Sequence, residues 1–249
     1  PALYFFMVVI LIQVLGSSLL WLGPFDTPIL LTPGTSAVAL ANQSVTFVCL
    51  LMLFYTVISM ERERTTGLDS VLYATPVSTG AVLFGKSVAN GVVGGIVLAG
   101  SLIASWLAIS IQHTVSFTLA PYLLVWGLLL IPTFMFWTSF VTALYAAVGN
   151  RYTAIALAIG ALAWTGWRAL TNQISWAGNW ALWGALRWSD LGPFERDRTA
   201  LVLNRLMVLS ATILFIAIAV RLFRRRSPDA VQTIHRLAPG SMWRSALRL

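Results

Sequence analysis

The sequence predicts an all-α integral membrane protein with six transmembrane helices, and three observations carry that expectation. Of 249 residues, 58% are hydrophobic and 10% charged, where a soluble domain carries about 25% charged residues. Mean hydropathy is +0.83. The apolar residues fall into six continuous runs, 2–22, 36–60, 88–111, 119–148, 153–170 and 201–223, each close to the roughly 20 residues that cross a hydrocarbon core as a helix. Barrel strands would be about ten residues of alternating polarity; these runs are unbroken and rich in Ala, Leu, Gly and Ile.

The first run starts at once from Pro1 without a basic leader segment, which sets it apart from a secretory signal and leads us to expect further chain upstream. The second run holds the single cysteine, Cys49, so neither a disulfide framework nor a paired-thiol metal site is expected; packing is its expected role. Asn42-Gln43-Ser44 matches a glycosylation sequon but falls in or beside the same run, where it carries little weight.

Between the second and third runs lies a polar island. It reads Glu61-Arg62-Glu63-Arg64, then Gly67, then Leu72-Tyr73-Ala74-Thr75-Pro76-Val77-Ser78, and later Gly85-Lys86. Before it the only charge is Asp26, and from 87 to 150 there is none, so these charges are expected to serve a soluble partner outside the bilayer. Leu68, Val71, Leu72 and Thr75 are spaced i, i+3, i+4 and i+7. Asp69 suits a helix N-terminus, and Pro76 ends the helix. The spacing therefore predicts one short helix with an apolar stripe, preceded by charges able to pair with each other or with a partner; a plain solvated polar turn is the blander alternative.

The same region satisfies a phosphate-loop pattern, with Gly80, Gly85, Lys86 and Ser87 at the required spacing. We reject it as a nucleotide site. The pattern functions when a buried strand precedes it and backbone N–H groups ring the phosphates; here a Pro-Val-Ser turn precedes and a membrane run follows. Lys86 is expected to snorkel to the interface at the base of the third run.

The third run is rich in small residues, with Gly91 and Gly95 forming a G-x-x-x-G pair. Tight helix packing within one subunit is the expected role, a moving or dimer-forming helix the sharper one. In the fourth run Pro132 removes a hydrogen bond to Leu128 and predicts a kink. Between the fifth and sixth runs tryptophans concentrate, and Trp176, Trp180 and Trp183 recur at i, i+4 and i+7. Because Trp favours the membrane interface, this predicts a short outer helix, re-entrant or lying flat, which anchors the chain or shapes an exit. After the sixth run come Arg221, Arg224, Arg225 and Arg226, placed to meet anionic head groups rather than nucleic acid. The chain thus divides into a six-span domain at 1–226 and a basic tail or linker at 227–249, which frays, lies on the membrane or leads into a second unit.

Orientation follows from the basic residues. With both ends inside, Arg62, Arg64, Lys86, Arg151, Arg221, Arg224, Arg225, Arg226, Arg236, Arg244 and Arg248 are cytoplasmic; Arg168, Arg187, Arg196, Arg198 and Arg205 are outside. The excess favours two cytoplasmic ends. A membrane-embedded enzyme would want ionisable groups at depth, and the two histidines, His113 and His235, have no acidic neighbour. Ion-coupled transport wants buried carboxylates, and the run interiors hold none. A membrane anchor that recruits an ATPase without transporting anything is the other alternative.

The island, from Glu61-Arg62-Glu63-Arg64 through Gly67 and 72–78 to Gly85-Lys86, resembles the cytoplasmic loop of type-2 permeases of ATP-binding-cassette exporters; the six-span layout is also similar. Where the family commonly has Thr then Glu after the glycine, this chain has Leu68 and Asp69. The resemblance implies a coupling helix docked on a nucleotide-binding ATPase subunit, using Leu68, Val71, Leu72, Tyr73 and Pro76 with Glu61, Glu63, Arg64, Gly67, Asp69 and Thr75 in support. It implies a second permease half, identical or homologous, membrane lipids as surroundings, and the bacterial inner (plasma) membrane as location. No catalytic residue, metal or cofactor is expected in this chain, ATP and Mg being held by the partner. The implied cargo is amphipathic or lipidic.

Overall fold

The computed structural model describes residues 8–9, 11–13, 15–16, 31–67, 78–113, 115–186, 188–189 and 198–223. Among these residues five helices are long and apolar enough to cross a membrane: α1 (Pro33–Thr65), α2 (Thr79–Gln112), α3 (Ala120–Val148), α4 (Arg151–Leu170) and α5 (Arg198–Leu222). Among the described residues there is no strand. Backbone polar groups find no water in lipid, so each long segment satisfies its N–H and C=O groups internally as a helix. The chain is an all-helical integral membrane protein. Of the first predicted run, only short helical pieces at 8–9, 11–13 and 15–16 belong to the described residues. The predicted tail at 227–249 lies outside them.

Short connections join α2 to α3 and α3 to α4. At the α3–α4 turn, Gly149 adopts φ 71° and donates to the Tyr145 carbonyl at 2.8 Å; a left-handed residue at this position suits glycine. The Asn150 side chain then accepts from the Tyr152 and Thr153 N–H groups at 2.9 and 3.4 Å, capping α4. Ser78 caps α2 by accepting from Ala81 N–H at 3.2 Å. Gly67, at φ 69°, follows the last turn of α1.

α1 and α3 form the centre. Of their most apolar stretch 61% is buried, against 17% in α4, so α4 lies on the outside with most of its surface free for lipid or another subunit. α3 packs most extensively on α5, and α1 touches α2, α3 and α4. Lipid tails are as apolar as leucine, so packing fit and hydrogen bonds between helices hold such a bundle. Trp137 of α3 donates its indole N–H to the Cys49 carbonyl of α1 at 2.6 Å, Trp126 donates to Ala37 O at 3.2 Å, and Asn90 of α2 donates to Thr56 Oγ1 at 3.3 Å. A buried hydroxyl chain, Ser36 to Ser105 to Tyr122, joins α1, α2 and α3.

Two local features bear on these helices. Where the sequence predicts a kink at Pro132, a π-helical stretch, Leu123–Leu130, ends two residues before the proline. A wider turn is one way a helix accommodates an interrupted hydrogen-bond ladder. The close helix approach in α2 belongs to Gly94, where an added Cβ would lie 3.3 Å from the Met52 sulfur; among the described residues nothing lies within 4 Å of a Cβ added at Gly91 or Gly95.

Candidate functional site

The polar island begins as helix. Glu61, Arg62, Glu63, Arg64 and Thr65 form the last turn of α1, and Thr66 Oγ1 donates to the Arg62 carbonyl at 2.7 Å. Two of its acids turn back onto the bundle. Glu63 pairs with Lys86 of α2 at 2.9 Å, both side chains largely buried, and the Lys86 ammonium also donates to Ser59 O at 2.9 Å. Glu61 pairs with Arg151, the first residue of α4, at 3.6 Å in a more open setting. These bonds tie the bases of α1, α2 and α4 together, with the loop between α1 and α2 springing from the tied end. The Arg64 side chain, and Leu68, Asp69, Val71, Leu72, Tyr73, Thr75 and Pro76, lie outside the described residues.

The segment carrying Gly80, Gly85, Lys86 and Ser87 is α-helix from Thr79 onward. Its N–H groups after the first turn are spent on the helix, so it does not form a phosphate-cradling ring. Lys86 is engaged with Glu63 and Ser59 O.

Lys86→Glu would place two carboxylates where an ion pair stood. A hydrogen bond to a charged group contributes about 1.5–3 kcal/mol, and we expect a loss of that order in thermal stability measured in detergent micelles. The double exchange Glu63→Lys/Lys86→Glu should recover most of it; no recovery would mean that the pair does not tie the two helices.

The opposite end of the bundle holds a buried arginine. Arg205 sits seven residues into α5, on the order of 10 Å along the helix, with 4% of its surface exposed. Its Nη1 donates to Leu129 O and Thr133 Oγ1, both at 2.8 Å; Nη2 donates to Trp180 O at 2.9 Å and Asn204 Oδ1 at 2.5 Å; Nε donates to Asn204 Oδ1 at 3.1 Å. A guanidinium has five N–H donors, and these contacts use all five. The described residues give it no carboxylate partner.

What Arg205 holds is the segment after α4. The predicted outer helix is absent there: 171–186 is a chain of turns. Leu182 and Gly184 take φ 57° and 63°, and Asn179 intercepts the Trp183 backbone, accepting from its N–H and donating to its carbonyl, both at 3.0 Å. An Asn side chain that bonds nearby backbone competes with helix formation. The three tryptophans consequently do not share a face. Trp176 is exposed and Trp180 is buried, lying flat on Trp137 with ring centres 5.3 Å apart and 3° between planes, and stacked on Phe136. Trp183 donates to Thr46 Oγ1 at 3.3 Å. The segment dips between the helices instead of lying on their ends.

Beside it is a half-open apolar groove of about 620 Å³ between α1, α4 and the turn segment, lined by Thr46, Leu50, Leu162, Trp167, Leu170 and Trp183 among others. Its volume and lining suit a ligand of lipid or drug size. Among the described residues no group of histidine, cysteine and acids has the geometry of a metal site.

Neither Arg205 nor the groove was visible in the sequence. A single arginine near a run end reads as interfacial, and apart from the adjacent Asn204 its acceptors come from positions 25 to 76 residues away. A scan against models of protein families finds no match to this chain, and a search of curated proteins finds none either.

Proposed function

We propose that this chain is the membrane-spanning permease half of an ATP-binding-cassette exporter, moving an amphipathic or lipidic molecule with ATP and Mg held by a separate nucleotide-binding subunit. The observation that carries the reading is the island from Glu61 to Lys86, which resembles the coupling loop of type-2 permeases apart from Leu68 and Asp69. Its setting is suited to that role. A lever transmits motion only if its ends are fixed to the parts it moves, and the Glu63–Lys86 and Glu61–Arg151 pairs join α1, α2 and α4 where the loop leaves the bundle.

In this reading the stripe of Leu68, Val71, Leu72, Tyr73 and Pro76 seats on the ATPase in the cytoplasm. Closure of that subunit on ATP pushes the loop, and the push passes into three helices at once. ATP binding and the transport state are then two linked equilibria, each biasing the other by the same free energy. The apolar groove would take the acyl or aromatic part of the cargo, and the largely exposed α4 leaves room for a second permease half.

Affinity purification of the chain from native membranes tests this. We expect a nucleotide hydrolase to copurify and its ATP turnover to respond to amphipathic compounds. Purification of the intact chain with no associated hydrolase would overturn the reading.

A further inference from the structure

We propose that residues 173–186 form a lid over one end of the bundle and that Arg205 is its latch. The inference goes beyond the transport reading, since it concerns the end opposite the ion pairs and stands or falls without any motor subunit.

Three backbone carbonyls of this segment are held by two neighbouring residues of α5. Arg205 donates to Trp180 O, while Asn204 donates to Trp176 O at 2.5 Å and Asn179 O at 3.4 Å. Thr133 of α3 contributes a hydroxyl within 3.1 Å of the same Trp180 carbonyl. Arg205 in turn grips α3 through Leu129 O and Thr133 Oγ1, in the turn where the π-helix gives way to α-helix ahead of Pro132. One guanidinium therefore joins α5, α3 and the lid.

The chemistry of the joint suits release. A buried arginine facing a carboxylate forms a pair whose separation leaves two uncompensated charges. Here the acceptors on the lid are neutral carbonyls, and water entering a lifted lid can take their place at the guanidinium. The backbone is built to pivot, with glycines at 178 and 184 bracketing the buried Trp180, Ala181 and Leu182. Trp183 and Gly184 are also a wall of the groove, so lifting the lid opens that cavity toward the same end of the bundle.

The test uses the full chain in phosphatidylcholine vesicles with Cys49 replaced by Ala and a single reporter, Ala181→Cys, at a position 6% exposed in the closed lid. Its rate of labelling by a soluble maleimide measures lid opening. We expect Arg205→Met to raise that rate about tenfold or more, with Arg205→Lys, which has three donors instead of five, falling between. Thr133→Val, which leaves the charge but removes both one acceptor of the guanidinium and the hydroxyl beside Trp180 O, should raise it several-fold. A second reporter, Ala154→Cys, sits fully buried at the start of α4 near the far end and should stay unreactive in every variant.

Equal Ala181→Cys labelling in Arg205→Met and the parent would overturn the latch. If Arg205→Met fails to reach the membrane, Arg205→Lys, which keeps the charge and loses two donors, decides in the same way. Parallel exposure of both reporters would also overturn it, by showing that the arginine holds the whole bundle and not the lid.

Discussion

Replacing Leu72 by Asp is expected to abolish coupling between ATP hydrolysis and transport while leaving membrane insertion intact. Leu72 lies in the middle of the apolar stripe read from the spacing of Leu68, Val71, Leu72 and Thr75. An apolar anchor at the centre of a protein interface contributes more than its rim, and a carboxylate buried there without a partner carries a large desolvation penalty. Insertion depends on the flanking helices, which the substitution does not touch. Transport per ATP, measured in reconstituted vesicles with the ATPase subunit present, should fall about tenfold or more, the equivalent of about 1.4 kcal/mol of lost contact. Coupled activity unchanged by Leu72→Asp would remove Leu72 from the docking surface.

Trp137→Ala should produce the largest loss of stability. The Trp137 ring is 1% exposed, its indole N–H bridges α3 to α1 through Cys49 O at 2.6 Å, and its face carries Trp180 of the turn segment. Truncating a buried tryptophan in a close-packed interior costs about 3–5 kcal/mol through lost contacts and the cavity left behind. Trp137→Phe keeps a ring for Trp180 to lie on but loses the hydrogen bond, which alone is worth about 1 kcal/mol. Reversible unfolding in mixed micelles should order the three proteins as parent, Trp137→Phe, Trp137→Ala. Equal stability of all three would mean that the α1–α3–lid junction is not a packing centre.

The long helices were legible in the sequence because lipid leaves the backbone one way to satisfy itself and the apolar runs record where that happens. The run at 119–148 returns as Ala120–Val148, and 153–170 as Arg151–Leu170. The ends shifted where charge was read as marking a loop. The helix of 36–60 extends through Glu61 to Thr65, and α2 begins at Thr79, nine residues before the predicted 88. Glu63 and Lys86 neutralise each other there, so both charges are carried on helix.

The outer segment was misread for a different reason. Helical spacing of Trp176, Trp180 and Trp183 is a pattern of side chains, whereas the fold there is decided by backbone groups. Gly184 takes a left-handed conformation, Asn179 captures the Trp183 backbone, and Asn204 and Arg205 take the carbonyls of Trp176, Asn179 and Trp180. Those acceptors leave no mark on the amino-acid sequence. For the same reason Arg205 read as one more interfacial basic residue.

The most direct test of the account is to ask what the end of α1 touches in the cell. Thr66 is exposed at the edge of the polar island, and a photo-crosslinking side chain placed there can be activated in native membranes. The account predicts a crosslink to a nucleotide hydrolase, formed on the cytosolic face and changed in yield by ATP. Labelling of position 66 from the outer face, or crosslinks to lipid with no hydrolase among the products, would contradict it.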